Sequence, residues 1–198
     1  MVSFRIYGMF CKDSRTKVGD YVRLAWAVIR ENRTAESIHS AIRYLGSDHP
    51  IDRAIEEIRT TDCYYGWQSE LRYVLRRYEE HLGQTTHRPL GVEAWEKIWA
   101  VSPSDSIEHI QPQSKADSER GKGGIYAHRI GNLTLLTPAD NSRASNKEPS
   151  AKVDIYRASG LLITSDLAVA AQTWDLAAVE AREDRILAWM RLAWADPT

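Results

Sequence analysis

Thiols are scarce in this chain: Cys11 and Cys63 are its only two cysteines, and they do not form a CxxC spacing. That excludes a disulfide framework and a four-thiolate zinc site. Any metal must then be held by oxygen or imidazole, and no structural zinc is expected. Long apolar runs are missing too. No stretch approaches the roughly 18 consecutive apolar residues of a membrane span, so no membrane role is expected. The opening MVSFRIYGMF lacks the basic start, apolar middle and small-residue cleavage site of a secretory signal, which makes the cytoplasm the expected compartment. Net charge is nearly absent, at −1. Nucleic-acid binding would therefore need a local basic patch rather than a basic total. No GxxxxGK[ST] phosphate loop occurs, so nucleotide hydrolysis is not expected of this chain.

What is present describes an ordinary globular protein. The 198 residues are 43% hydrophobic and 27% charged, enough for one larger domain or two small ones. Residues 18 to 30 place Val18, Tyr21, Val22, Ala25, Val28 and Ile29 at helical spacing. Thr34 suits the cap of a second helix that ends before Gly46. Pro50 suits the first turn of a third, IDRAIEEIR. The strongest pattern, WQSELRYVLRRYEEHL, turns Leu71, Val74, Leu75, Tyr78 and Leu82 inward, with Gly83 as the expected stop. A last long helix spans residues 174 to 195, with Val179, Ile186, Met190 and Ala193 aligned. The seven tryptophans fall mostly in or beside apolar helix faces, where core packing explains them better than base stacking.

The character changes from residue 101. SIEHI is a short apolar stretch that stops before Pro112, and QSKADSERGKGG reads as a polar, glycine-rich loop. GNLTLLT is a strand candidate. Thr137, Pro138 and Asp140 together resemble a capped helix start. The order from 106 to about 146 is strand, loop, strand, helix.

The strings IEHIQPQ and IGNLTLLTPADNSRASNK, in this order, resemble the HNH, or ββα-metal, nucleases. More narrowly they resemble the C-terminal nuclease domain of GmrSD-type modification-dependent restriction enzymes, a group that includes phosphorothioate-sensing phage-defence proteins. FRIYGMF, ELRYVLRRYEEHL and the tryptophan-rich last helix are similar to that family's flanking helical regions. The resemblance implies a mainly α fold with a small α+β module, a helical bundle flanking the nuclease motif. It divides the chain into a helical region (1–100), the ββα-metal module (101–152) and a C-terminal helical region (153–198) packing on the first. It also implies DNA as substrate, modified or phage DNA included. In the full-length protein it implies a preceding nucleotide-hydrolysing sensor domain, and the role of effector in anti-phage restriction.

Phosphodiester hydrolysis needs an activated water and charge stabilisation at phosphorus. A neutral imidazole can take the water's proton, which makes His109 the candidate general base. One divalent cation, Mg²⁺ or Mn²⁺, can offset the developing negative charge, with Glu108 and the Asn141 amide oxygen as candidate ligands. The resemblance gives Asn132 a supporting role, fixing the loop that orients His109. Glu108 stands where many such nucleases carry Asp. Neighbouring residues of a regular strand face opposite ways, so the strand is expected to end or kink at Glu108 and His109. Lys115, Arg120, Lys122, His128, Arg129, Arg143, Lys147 and Lys152 are the candidate DNA contacts. Two other readings use the same residues: a non-catalytic DNA-binding or docking domain on this scaffold, and an RNase or toxin.

Overall fold

The computed structural model describes residues 18–45, 50–60, 62–65, 67–88, 92–115 and 127–194. Within them the protein is mostly helical, with a two-stranded antiparallel sheet. The chain divides into two compact units, one of residues 1–61 with 187–198 and one of residues 62–186. No described helix is long and apolar enough to cross a membrane.

The first unit contains α1 (Val18–Glu31), α2 (Ala35–Leu45) and α3 (Ile51–Thr60). Thr34 caps α2 as expected, its hydroxyl oxygen accepting the Ser37 amide at 3.2 Å. In α3, Ile51, Ala54, Ile55 and Ile58 are buried, the stripe that its helical period predicts. On α1, by contrast, Val22, Trp26 and Ile29 stay exposed. Periodicity identifies an apolar face but not a surface that covers it. Gly46 and the FRIYGMF segment lie outside the described residues.

The second unit opens with α4 (Gln68–Thr86) and α5 (Val92–Trp99). α4 runs past Gly83, correcting the expected stop. It ends instead where His87 takes the left-handed conformation at φ 55°, its amide bonding to Gly83 O. The glycine is there for proximity, since a Cβ would lie 2.8 Å from the Arg88 carbonyl. The buried face of α4 also differs at two positions: Glu79 is buried, while Tyr78 and Leu82 are only half-buried. The Glu79 carboxylate accepts the Leu162 and Ile163 amides at 2.9 and 2.6 Å, satisfying donors that a helix start leaves open. The tryptophans need a correction as well. Trp95 and Trp189 are buried, but Trp26 and Trp99 are exposed. Trp99 is shielded on one face by the Arg72 guanidinium at 4.3 Å, a cation–π contact.

After α6 (Pro103–Ser106), β1 (Ile107–His109) pairs with β2 (Leu133–Leu135), Glu108 opposite Thr134 and His109 opposite Leu133. Both strands are buried at every position, so neither shows the polar alternation of a half-solvated strand. β2 is shorter than GNLTLLT because Ile130–Asn132 form a 3-10 turn before it. α7 (Pro138–Ala144) starts as predicted: Thr137 Oγ1 accepts the Asp140 amide at 3.3 Å, and the hydroxyl donates to Asp140 Oδ2 at 2.9 Å. Short helices α8 (Val153–Ala158), α9 (Leu162–Ser165) and α10 (Leu167–Ala170) follow, then α11 (Leu176–Ala193). Val179, Ile186 and Met190 of α11 are buried, but Ala193 is exposed at its end. Ile110, Leu136, Val153, Tyr156 and Leu167 form the apolar core beside the sheet.

Gly131 fixes how closely α11 approaches the sheet. A Cβ there would sit 2.1 Å from the Val179 carbonyl oxygen, a clash with backbone that no rotamer change relieves. Gly131→Ala is expected to lower stability by on the order of 3 kcal/mol. The urea midpoint checks this, and a midpoint equal to wild type would show that α11 moves freely.

Candidate active site

β1 ends at His109, within the pair at which the strand was expected to end or kink. The chain beyond it is stapled to the turn before β2. Ile110 N donates to Asn132 O at 2.9 Å. The fully buried Asn132 side chain does the rest. Its Oδ1 accepts the Gln111 amide at 2.9 Å and the Trp174 indole N–H at 3.0 Å; its Nδ2 donates to Gln111 O and Ala127 O, each at 3.0 Å. A carboxamide is suited to this, because it carries both acceptor and donor. The same turn is gripped from α11: Arg182 donates to the carbonyls of Ile130, Gly131 and Leu133 at 3.3, 3.0 and 2.7 Å. Arg129 forms a two-pronged ion pair with the buried Glu183.

Glu108 is 4% exposed and does not stand alone. Its Oε1 accepts the Lys152 ammonium at 2.7 Å and the Tyr156 hydroxyl at 2.9 Å. Lys152 is 0% exposed, and its ammonium also donates to His109 O at 2.8 Å and Ile110 O at 3.2 Å. Burial pushes the Glu108 carboxyl upward, and the Lys152 charge pulls it back. The Tyr156 hydroxyl is raised, first by burial and then by the Glu108 charge it faces.

His109 is 7% exposed. Its Nε2 lies 3.1 Å from His128 Nδ1, and its ring meets that of Tyr64 edge-on, centroids 4.6 Å apart. The Gln113 amide nitrogen approaches both ring nitrogens, Nδ1 at 3.1 Å and Nε2 at 3.2 Å. Burial, then the neighbouring His128 and Lys152, depress the His109 pKa to about 3. The ring is therefore uncharged near neutral pH.

Asn141 enters from α7, its Nδ2 donating to Asp105 O at 2.9 Å. That commits the donor end of the amide and leaves Oδ1 as the acceptor. Glu108, His109 and Asn141 line one cleft of about 250 Å³, with Tyr64 and Gln113 beside them. Among the described residues no group of three or more His, Cys, Asp and Glu side chains is arranged for a metal ion. Glu108 is the single carboxylate among the residues lining the cleft, and Gln113, Asn141 and Asn146 bring amide oxygens to it. Cys63 offers no alternative nucleophile, because burial pushes its thiol up to about 12.

The remaining candidates separate by burial. Lys115, Arg143 and Lys147 lie toward the surface; Lys115 pairs with Glu148 at 2.8 Å, Arg143 with Asp140 at 3.0 Å, and Lys147 donates to Arg143 O at 2.7 Å. His128 is half-buried against His109 and the two tyrosines. Arg129 and Lys152 face acidic partners inside the unit rather than solvent. Arg120 and Lys122 lie outside the described residues.

Tyr64, Gln113 and Tyr156 had no assigned part in the sequence. Gln113 was within reach, being inside the IEHIQPQ string, and Lys152 and Tyr156 are four apart, a spacing that puts two side chains on one helical face. Tyr64 gave no signal, because it reaches the cleft through a backbone bond from Cys63 N to His128 O at 3.0 Å.

Residues 48–189 match the family model described as GmrSD restriction endonucleases, C-terminal domain. No curated protein and no solved structure matches the chain.

Two outcomes test this electrostatic arrangement. Lys152→Met leaves a buried carboxylate without its counter-charge and is expected to cost about 3 to 5 kcal/mol. Adding Glu108→Gln should recover part of that, as urea denaturation of the single and double variants will read. His109 supplies a pH dependence with a definite sign. Its folded pKa of about 3 lies below the ordinary 6.5, so its contribution is full above pH 6.5 and is lost as pH falls toward 3. From about pH 7 to about pH 5 the loss is on the order of 2 kcal/mol. His109→Gln should be flatter than wild type over that interval, and equal slopes would count against the buried neutral ring.

Proposed function

This chain belongs to the GmrSD restriction endonuclease C-terminal domain family, and on that premise we propose that the cleft is an HNH, or ββα-metal, centre hydrolysing DNA phosphodiester bonds. The observation that carries the reading is the convergence of Glu108, His109 and Asn141 on one cleft. They come from the end of β1 and from α7, two elements far apart in sequence.

His109 takes the proton of the attacking water. Its ring is uncharged and so able to accept, and a phosphate entering the cleft brings negative charge that favours the protonated ring. Asn132 acts at one remove, holding the backbone on both sides of the loop that carries His109. Glu108 and the Asn141 amide oxygen are the groups that would hold one Mg²⁺ or Mn²⁺, hard cations that need few protein oxygens. When bound, the cation offsets negative charge on the phosphoryl and leaving 3′ oxygens. The oxygen donors of Glu108 and Asn141 suit such a hard cation.

Lys115, Arg143 and Lys147 guide the DNA backbone, since exposed ion pairs are weak enough to be exchanged for phosphate. The family setting supports an effector role in restriction of modified or phage DNA in the cytoplasm, with a nucleotide-hydrolysing sensor domain preceding this one in the full-length protein.

The test is cleavage of supercoiled plasmid with Mg²⁺ or Mn²⁺. One site aligns one phosphodiester at a time, so nicked circles should precede linear product. Excess EDTA should stop the reaction and added metal restore it. His109→Ala should lose roughly 10²- to 10⁴-fold in rate with DNA affinity little changed. Asn141→Ala should lose activity that high metal partly returns. Undiminished cleavage in EDTA or by His109→Ala would remove the metal or the base from these roles. Cleavage of RNA in place of DNA would reassign the substrate.

A further inference from the structure

His109 is not the only imidazole at the cleft. His128 Nδ1 lies 3.1 Å from His109 Nε2, with the two rings nearly perpendicular at 88° and their centroids 5.1 Å apart. His128 is itself held on several sides. Tyr64 stacks along its ring at 19° and 5.5 Å, Tyr65 covers it at 4.8 Å, and its carbonyl accepts the Cys63 amide at 3.0 Å. The Asp62 carboxylate fixes the turn that carries both tyrosines, accepting their amides at 2.8 and 3.0 Å. Such enclosure is more than a phosphate contact at a surface requires.

An uncharged imidazole has one N–H and one lone pair, and the partner of one nitrogen decides which is which. Two polar groups face His109: His128 Nδ1 at Nε2, and the Gln113 amide nitrogen, which is a donor and needs a lone pair to meet. The Gln113 amide nitrogen is nearly equidistant from the two ring nitrogens and favours neither, so the contact that separates the tautomers is His128 Nδ1 at Nε2, as acceptor of an Nε2 proton.

We propose that His128 is a positioning residue that locks His109 in the Nε2-protonated tautomer, its Nδ1 accepting the Nε2 proton of His109, with Nδ1 of His109 left bare. This rests on His109 as the general base. It assigns His128 a role other than contact with DNA. The His128 proton is then on Nε2, and no proton crosses between the two rings in the resting protein. A base presented in a single tautomer has its lone pair in place before substrate arrives, whereas a mixture holds only a fraction of molecules ready.

The experiment is long-range ¹H–¹⁵N correlation on histidine-labelled protein, without metal, at about pH 8, where ordinary imidazole is uncharged. Wild type should show His109 protonated at Nε2 and bare at Nδ1. His128→Phe keeps an aromatic ring against Tyr64 but removes the acceptor; His109 should become a tautomer mixture and kcat should fall about tenfold, with DNA affinity unchanged. His128→Asn places a carbonyl oxygen near the lost Nδ1 and should restore both the single tautomer and most of the rate. The proposal is overturned if wild-type His109 is protonated at Nδ1. It is overturned as well if His128→Phe leaves the tautomer unaltered, or if Asn does no better than Phe. The wild-type spectrum decides the matter even where His128→Phe fails to fold. Because this readout does not depend on cleavage, it separates failure of the lock from failure of His109 as base, which His109→Ala reports.

Discussion

A lysine ammonium cannot enter a water-free interior unless acceptors replace its hydration, and Lys152 finds three of them at the end of β1. One is the Glu108 carboxylate; the others are the carbonyls of His109 and Ile110. The charge thus ties a side chain and the backbone of the next two residues to a single point. Glu108 cannot turn away without leaving the ammonium uncompensated, and the backbone cannot leave the sheet without giving up two acceptors. Tyr156, one helical turn beyond Lys152, adds a second donor to the same carboxylate oxygen. The orientation of the Glu-His pair is therefore set from α8 and the turn before it, more than forty residues away.

Legibility in the sequence followed how local each cause was. Thr137 with Pro138 and Asp140 announces a helix start because a cap involves only neighbouring residues, and α7 begins where they say. The strands were legible from apolar stretches and from Pro112, although β2 is shorter than its apolar run. Gly83 was misread because glycine has two uses. The sequence suits a helix end, but the chain needs room for the Arg88 carbonyl. Glu79 was unreadable for a related reason. A carboxylate on an otherwise apolar face gives no sign that two open amides at the start of α9 lie opposite.

At the cleft, the resemblance supplied Glu108, His109, Asn132 and Asn141, and no periodicity could have done so. The geometry adds what holds them. Asn132 makes four hydrogen bonds from a fully buried site, and Gly131 beside it admits the α11 backbone so closely that Arg182 can reach three carbonyls of the same turn. Tyr64 was beyond sequence reasoning, and His128 was singled out only as a DNA contact, because the two meet through the turn at residues 62–65. Contacts of that kind depend on the folded path of the chain, and spacing in sequence does not record it.

The basic residues show how burial divides chemically similar side chains into different kinds of work. Arg129 and Lys152 each face a carboxylate that is at most 5% exposed. Losing either cation leaves a buried charge unpaired, which costs several kcal/mol. Arg143 and Lys115 also pair with carboxylates, but those pairs sit in solvent, where an ion pair contributes about 0 to 1 kcal/mol and is screened by salt. A phosphate can displace the acid in the second group and not in the first. The outer pairs are thus exchangeable, while the inner ones hold the cleft in shape. A count of lysines and arginines near the motif cannot make this division, because it depends on solvent access and not on residue type.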